Sequence, residues 1–145
     1  MQLPEYVTVQ EVQRVCQELG LSDWSKKTEP QVMPKEAQII LSEVNAEGMD
    51  IPLEDFSAGL GVELEHGTQF QDANVTNNHP ILTGKIVLAH LKESMDYYKR
   101  LEVAEIEGDI LKALVAKNLA KVEALHKKLA QAKLALYRVE SRELG

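Results

Sequence analysis

Apolar residues recur along this chain at helical intervals of three and four, in blocks separated by polar, Gly- or Pro-containing breaks, and the blocks predict an all-α protein. The first block follows Thr8-Val9-Gln10-Glu11, the Ser/Thr-x-x-Glu spacing of a capping box. It carries Val9, Val12, Val15, Cys16 and Leu19 before Gly20 in the stop position. A polar loop with Trp24 as an anchor leads to Pro34, which opens a second helix bearing Ala37, Ile40, Leu41 and Val44 and ended by residues 45–48. Pro52 opens a third helix to about His66, with Leu53, Phe56, Leu60 and Leu64 on its apolar face and Gly67 as its stop. Gly59 and Gly61 inside it cost about 1 kcal/mol each against Ala, which points to close packing on that backbone.

Residues 67–79 read as an Asn-rich loop in which Asn78 or His79 caps a fourth helix begun by Pro80. That helix, expected to reach Leu91, is apolar around most of its circumference, with Lys85, Lys92 and Asp96 confined to one stripe. Such a helix belongs in the middle of a bundle.

Farther on, Val115, Val122, Leu129 and Leu136 recur every seven residues, with Leu111, Asn118, Leu125, Ala132 and Val139 in the companion positions. The pattern predicts a coiled-coil seam and a homo-oligomer interface along it, on a single helix over 108–142 that would be ~52 Å long. Asn118 is the polar member of the seam, and Leu114 and Leu119 flank it. The competing expectation is that this helix packs back along its own domain. The predicted architecture is a small helical bundle over 1–107 followed by a long basic heptad helix over 108–145.

Composition narrows the class. The chain has 145 residues, 44% hydrophobic and 27% charged, enough for one ordinary domain plus an extended element. Cys16 has no internal partner and sits on an apolar stripe, as a small core residue does. The run Ile86-Val87-Leu88-Ala89 falls far short of the ~20 residues of a membrane helix, and the first residues lack a signal-peptide pattern. A cytoplasmic, non-membrane protein is expected. The net charge of −7 is uneven: residues 1–108 hold 8 basic and 19 acidic side chains (−11), residues 109–145 hold 8 and 4 (+4). Nucleic acid could therefore bind only through the tail, whose lysines also suit a solvated face or an acidic neighbour, including the body of another copy.

One constellation could carry chemistry. Glu63 and His66 on the third helix, and His90 and Glu93 on the fourth, each pair a carboxylate with an imidazole three residues apart, on one helix face. Di-metal carboxylate bundles use such pairs, so iron, manganese or zinc is one occupant. The favoured alternative is a metal-free clasp, Glu63 to His90 or Glu93 to His66, that satisfies buried polar groups without catalysis. His79 and His126 read as a loop cap and a surface residue. No phosphate-binding glycine loop, His-Glu-x-x-His, cysteine pair or Gly-x-Ser-x-Gly elbow is present.

The run Gly59-Leu60-Gly61-Val62-Glu63-Leu64-Glu65-His66-Gly67, then Asn74-Val75-Thr76-Asn77, Pro80, Thr83-Gly84-Lys85-Ile86, Ala89-His90-Leu91 and Asp96-Tyr97-Tyr98, resembles a family of small bacterial and bacteriophage proteins whose domain has no assigned function. The resemblance covers about residues 7–105. It implies a compact helical domain and brings no activity. Residues 25–50 look like an insertion relative to that family, Met95 stands where it usually has proline, and the heptad tail extends beyond it. Together these lead to the expectation of a non-enzymatic structural or adaptor protein that assembles through its tail, with a bacteriophage particle as the setting the resemblance implies.

Overall fold

A computed structural model describes residue 1 and residues 4–145, and among them every regular element is helical. The chain forms two compact units, Met1–Glu93 and Ser94–Gly145.

The first unit contains α1 (Val9–Leu19), α2 (Pro34–Val44), α3 (Leu53–Gln69) and α4 (Pro80–Glu93). At the start of α1 the Thr8 hydroxyl accepts from the Glu11 amide at 3.1 Å. The reciprocal half of the capping box is absent, because the Glu11 carboxylate turns to Arg14 at 2.7 Å. Gly20 closes the helix at φ +67°, with the Leu21 amide donating to the Cys16 carbonyl. Val12, Val15 and Cys16 are buried, whereas Val9, expected on that face, is exposed.

Ala37, Ile40, Leu41 and Val44 of α2 enter the core, so the segment 25–50 supplies part of this unit's interior. Pro52 stands just before α3 as its cap. The expected stop at Gly67 is overturned: α3 passes through that residue to Gln69. Gly67 serves contact instead, since a Cβ there would lie 2.1 Å from Asn78 Oδ1 and 2.9 Å from the Asn74 amide.

α4 packs against α1, α2 and α3, the central place its apolar circumference demands. Gly84 permits the approach to α2, as a Cβ on it would stand 2.5 Å from Ile40 Cγ2. The Ile81 and Leu82 amides at its start donate to His79 Nδ1 at 3.2 and 3.4 Å. Burial holds His79 below its ordinary pKa, which favours the neutral ring whose nitrogen lone pair serves this capping role.

The second unit is a helical hairpin, α5 (Tyr97–Val115) and α6 (Leu119–Leu144). The single straight helix expected over 108–142 is broken at residues 116–118, and the expected boundary at 107/108 falls inside α5. Lys117 adopts φ +54°, its amide donates to the Leu114 carbonyl at 2.9 Å, and the Asn118 amide donates to the Ala113 carbonyl at 2.9 Å. These are the two bonds of a Schellman stop. Asn118 is therefore no seam residue: it caps α6, its side-chain oxygen accepting from the Lys121 amide at 3.1 Å.

Arg100 pairs with Glu140 at 2.9 Å and Glu107 with Lys133 at 3.0 Å, so the two helices run antiparallel. Ile106, Ile110 and Ala113 of α5 pack on Leu125, Leu129 and Ala132 of α6, with Val103 and Val122 at the edges. Asp96, just before α5, is buried, accepts from Ser94 Oγ and meets one edge of the Arg100 guanidinium, Nε at 2.9 Å and Nη2 at 2.6 Å. The guanidinium holds its carboxyl below the ordinary value.

Asn118→Leu should lower the unfolding free energy by about 1 kcal/mol in urea denaturation, since the cap bond is lost. A buried polar seam residue would show the opposite sign.

Candidate functional site

Two places in the molecule are candidates: the acid and imidazole groups of α3 and α4, and the surface of the hairpin.

Glu63 lies on the edge of the α3 apolar face and His90 on the flank of α4. Their side chains face each other, with Glu63 Oε1 3.6 Å from His90 Nε2 and both partly sheltered from solvent. At that separation the contact is electrostatic and counts as an ion pair only when the ring is protonated. His66 and Glu93 are exposed on their own helices. Among the described residues no group of three or more His, Cys, Asp or Glu side chains is arranged to hold a metal. Two of the four proposed ligands are thus brought together, in the pairing expected of a clasp.

A carboxylate that sequence reasoning passed over is the more deeply buried. Glu36 on α2 accepts from the Ser22 amide at 2.6 Å and from Trp24 Nε1 at 3.1 Å. Burial alone would raise its pKa, but the hydrogen bonds from Ser22 and Trp24, with the Lys27 charge, together outweigh it and hold the carboxyl below its ordinary value. Trp24, in a single 3₁₀ turn, is wholly buried, with Lys27 Nζ 5.3 Å from its ring centroid. Nothing in the local spacing marks this partnership, which spans 12 residues and depends on how the loop folds back. Cys16 is buried, and burial pushes its thiol up. This is an inert core group.

The predicted interface residues divide into three sets. Leu125, Leu129 and Ala132 are interior to the hairpin, with Val122, Leu136 and Val139 half-buried along the same helix. Asn118 is the cap. Leu111 and Val115 point away from the seam and are 63% and 77% exposed, joined by Leu114 at 49% and Leu119 at 73%. Four large aliphatic side chains thus cluster in sequence around the turn without covering, and residues 110–122 contain three lysines and no acid. The first unit holds 15 acidic and 6 basic residues (−9), the second 8 and 10 (+2). No helix among the described residues is long and apolar enough to cross a membrane.

The family described as a protein of unknown function (DUF5661) matches residues 12–107, and the chain belongs to that family. No curated protein and no solved structure matches the chain. The match ends inside α5, so the exposed turn and all of α6 lie outside it.

Proposed function

We propose that this chain is a non-enzymatic structural or adaptor protein that self-assembles through its C-terminal hairpin. The observation that carries this reading is the exposed aliphatic patch Leu111, Leu114, Val115 and Leu119 around the hairpin turn. Large aliphatic groups gathered on a surface mark an interaction site more often than a solvated one. The seam residues Val122, Leu125, Leu129 and Ala132 are spent within one chain, so contact between copies falls to the tip. A particle component, such as part of a virion, is the setting the sequence resemblance implies.

Size-exclusion chromatography with light scattering tests the reading. Wild type should elute as an oligomer and Leu111→Asp/Val115→Asp as a monomer of 16.2 kDa with unchanged helical circular dichroism. An oligomer that survives the double substitution, or a monomeric wild type at high micromolar concentration, overturns it.

The approach of Glu63 to His90 favours a second reading, a helical protein binding iron, manganese or zinc with His66 and Glu93 recruited to complete the site. Elemental analysis of the same chromatographic peak tests it. Stoichiometric metal lost in Glu63→Ala supports it, and a metal-free peak overturns it.

A further inference from the structure

On unit 1 the segment leading into α2 lies across α3, with a position for a Cβ on Gly61 only 3.5 Å from the Pro30 carbonyl oxygen. Between them is a groove of about 470 Å³. Its α3 side is nearly flat, because Ser57, Ala58 and Gly61 are small, and Val32, Leu53 and Val62 make it apolar. Glu54 and Glu65 line the two ends of that α3 stretch. The whole of α3 carries four acids, Glu54, Asp55, Glu63 and Glu65, and neither Lys nor Arg.

An occupant matching this groove brings aliphatic side chains at helical spacing, to fill the apolar space beside a flattened helix, and cations on its flanks, to meet the glutamates. The chain itself makes such a surface. Leu111, Leu114 and Val115 follow one another at three and one residues on the exposed side of α5, Leu119 follows the turn, and Lys112, Lys117 and Lys121 stand among them, Lys112 paired with Asp109 at 3.1 Å. The two surfaces are opposite in charge.

We infer that the acid-edged groove on unit 1 receives the lysine-bearing apolar tip of the hairpin of a second copy of this chain. This rests on the assembly reading above and names its receptor. Groove and tip are different surfaces, so the contact is heterologous: every added copy brings one free groove and one free tip. Growth then continues until a ring closes or an open chain forms. The lysine–glutamate pairs sit at a solvated rim, so their contribution falls as salt screens them.

Complementation between two blocked chains tests the inference by sedimentation velocity. The groove chain carries Glu54→Lys, Ala58→Arg and Glu65→Lys, the first two at exposed positions and the third half-buried. The tip chain carries Leu114→Asp and Val115→Asp. Wild type should form species larger than a dimer that shrink as sodium chloride is raised. Each blocked chain alone should sediment as a monomer with wild-type circular dichroism. Their equimolar mixture should give a dimer of twice 16.2 kDa and nothing larger, because one intact groove meets one intact tip. If either chain loses its helical signal, the charge-only pair Glu54→Gln/Glu65→Gln and Lys112→Gln/Lys117→Gln replaces it, with weakened wild-type association expected from each. A groove chain that assembles like wild type while the tip chain does not overturns the groove as receptor and leaves hairpin assembly standing. A mixture that stays monomeric also overturns the inference. A wild type that is monomeric throughout overturns both.

Discussion

Trp24→Ala should lower the unfolding free energy by about 3–5 kcal/mol, the cost of emptying a large aromatic site in a packed interior. Trp24 is the largest fully buried side chain among the described residues, and its indole N–H also donates to the buried Glu36 carboxylate. Trp24→Phe separates the two roles. It keeps most of the ring and removes the donor, so a loss of about 1–3 kcal/mol is expected from the under-satisfied carboxylate. Urea denaturation followed by far-ultraviolet circular dichroism measures both, and an alanine variant within 1 kcal/mol of wild type would rule out the anchor role. The same pair sets an acid dependence. The folded pKa of Glu36 lies below its unfolded value. The linked stability is therefore fully present above the ordinary carboxylate range, about pH 4 to 5, and is lost as pH falls through the lowered value. Glu36→Gln should flatten that part of the stability profile.

Gly67→Ala is the second large effect, and its sign separates local from tertiary physics. By helix propensity alone, alanine inside α3 would stabilise by about 1 kcal/mol. The contacts say otherwise: the new methyl would stand 2.1 Å from Asn78 Oδ1 and 2.9 Å from the Asn74 amide. Those asparagines cannot simply step aside. Asn74 Nδ2 donates to the Gly67 carbonyl and to Asn78 Oδ1, while the Asn78 amide donates to Asn74 Oδ1. Asn78 Nδ2 reaches the Trp24 carbonyl, and its backbone holds φ +59°. A net loss of about 1–3 kcal/mol is expected, as for other overpacked interiors. Combining Gly67→Ala with Asn78→Gly, which removes the obstructing oxygen and tolerates the backbone, should cost less than the sum of the two single changes. Strict additivity in thermal or urea unfolding would remove the steric account.

The elements legible in the sequence are those written in local chemistry. Thr8 and Gly20 bound α1, Pro34 opens α2, and His79 with Pro80 opens α4, each through groups within four residues of one another. The central place of α4 was legible because a helix without a wide polar face has nowhere else to go. Gly67 misled because glycine serves two unrelated ends, a left-handed stop or a close contact, and only the neighbour distinguishes them. The C-terminal seam misled for a different reason. The α6 register of Val122, Leu125, Leu129 and Ala132 extrapolates backward onto Leu111 and Val115, but the buried stripe of α5 is Val103, Ile106, Ile110 and Ala113. The step from Ala113 to Val122 breaks the three-four alternation, and that change of phase is the local trace of the turn. Lysine at a left-handed position gives no such trace, since the hairpin's packing imposes it. For the candidate clasp, spacing placed Glu63 and His90 on usable faces, while the choice of partner came from the packing of α3 on α4. Glu36 left no local mark, because its partners lie in a loop 12 and 14 residues away.

The short connection at residues 116–118 has a kinetic consequence. Closing a loop of three residues sacrifices little chain entropy, so the α5–α6 pairing is a contact of low order, of the kind that forms early and fast. The opposite case is Asn77, whose side chain donates to the Val7 carbonyl at 2.7 Å across 70 residues of sequence. That bond has to wait until α1 and the α3–α4 loop have met. The expected order is a hairpin formed first, then the four-helix unit, with the Asn77 contact to Val7 made last.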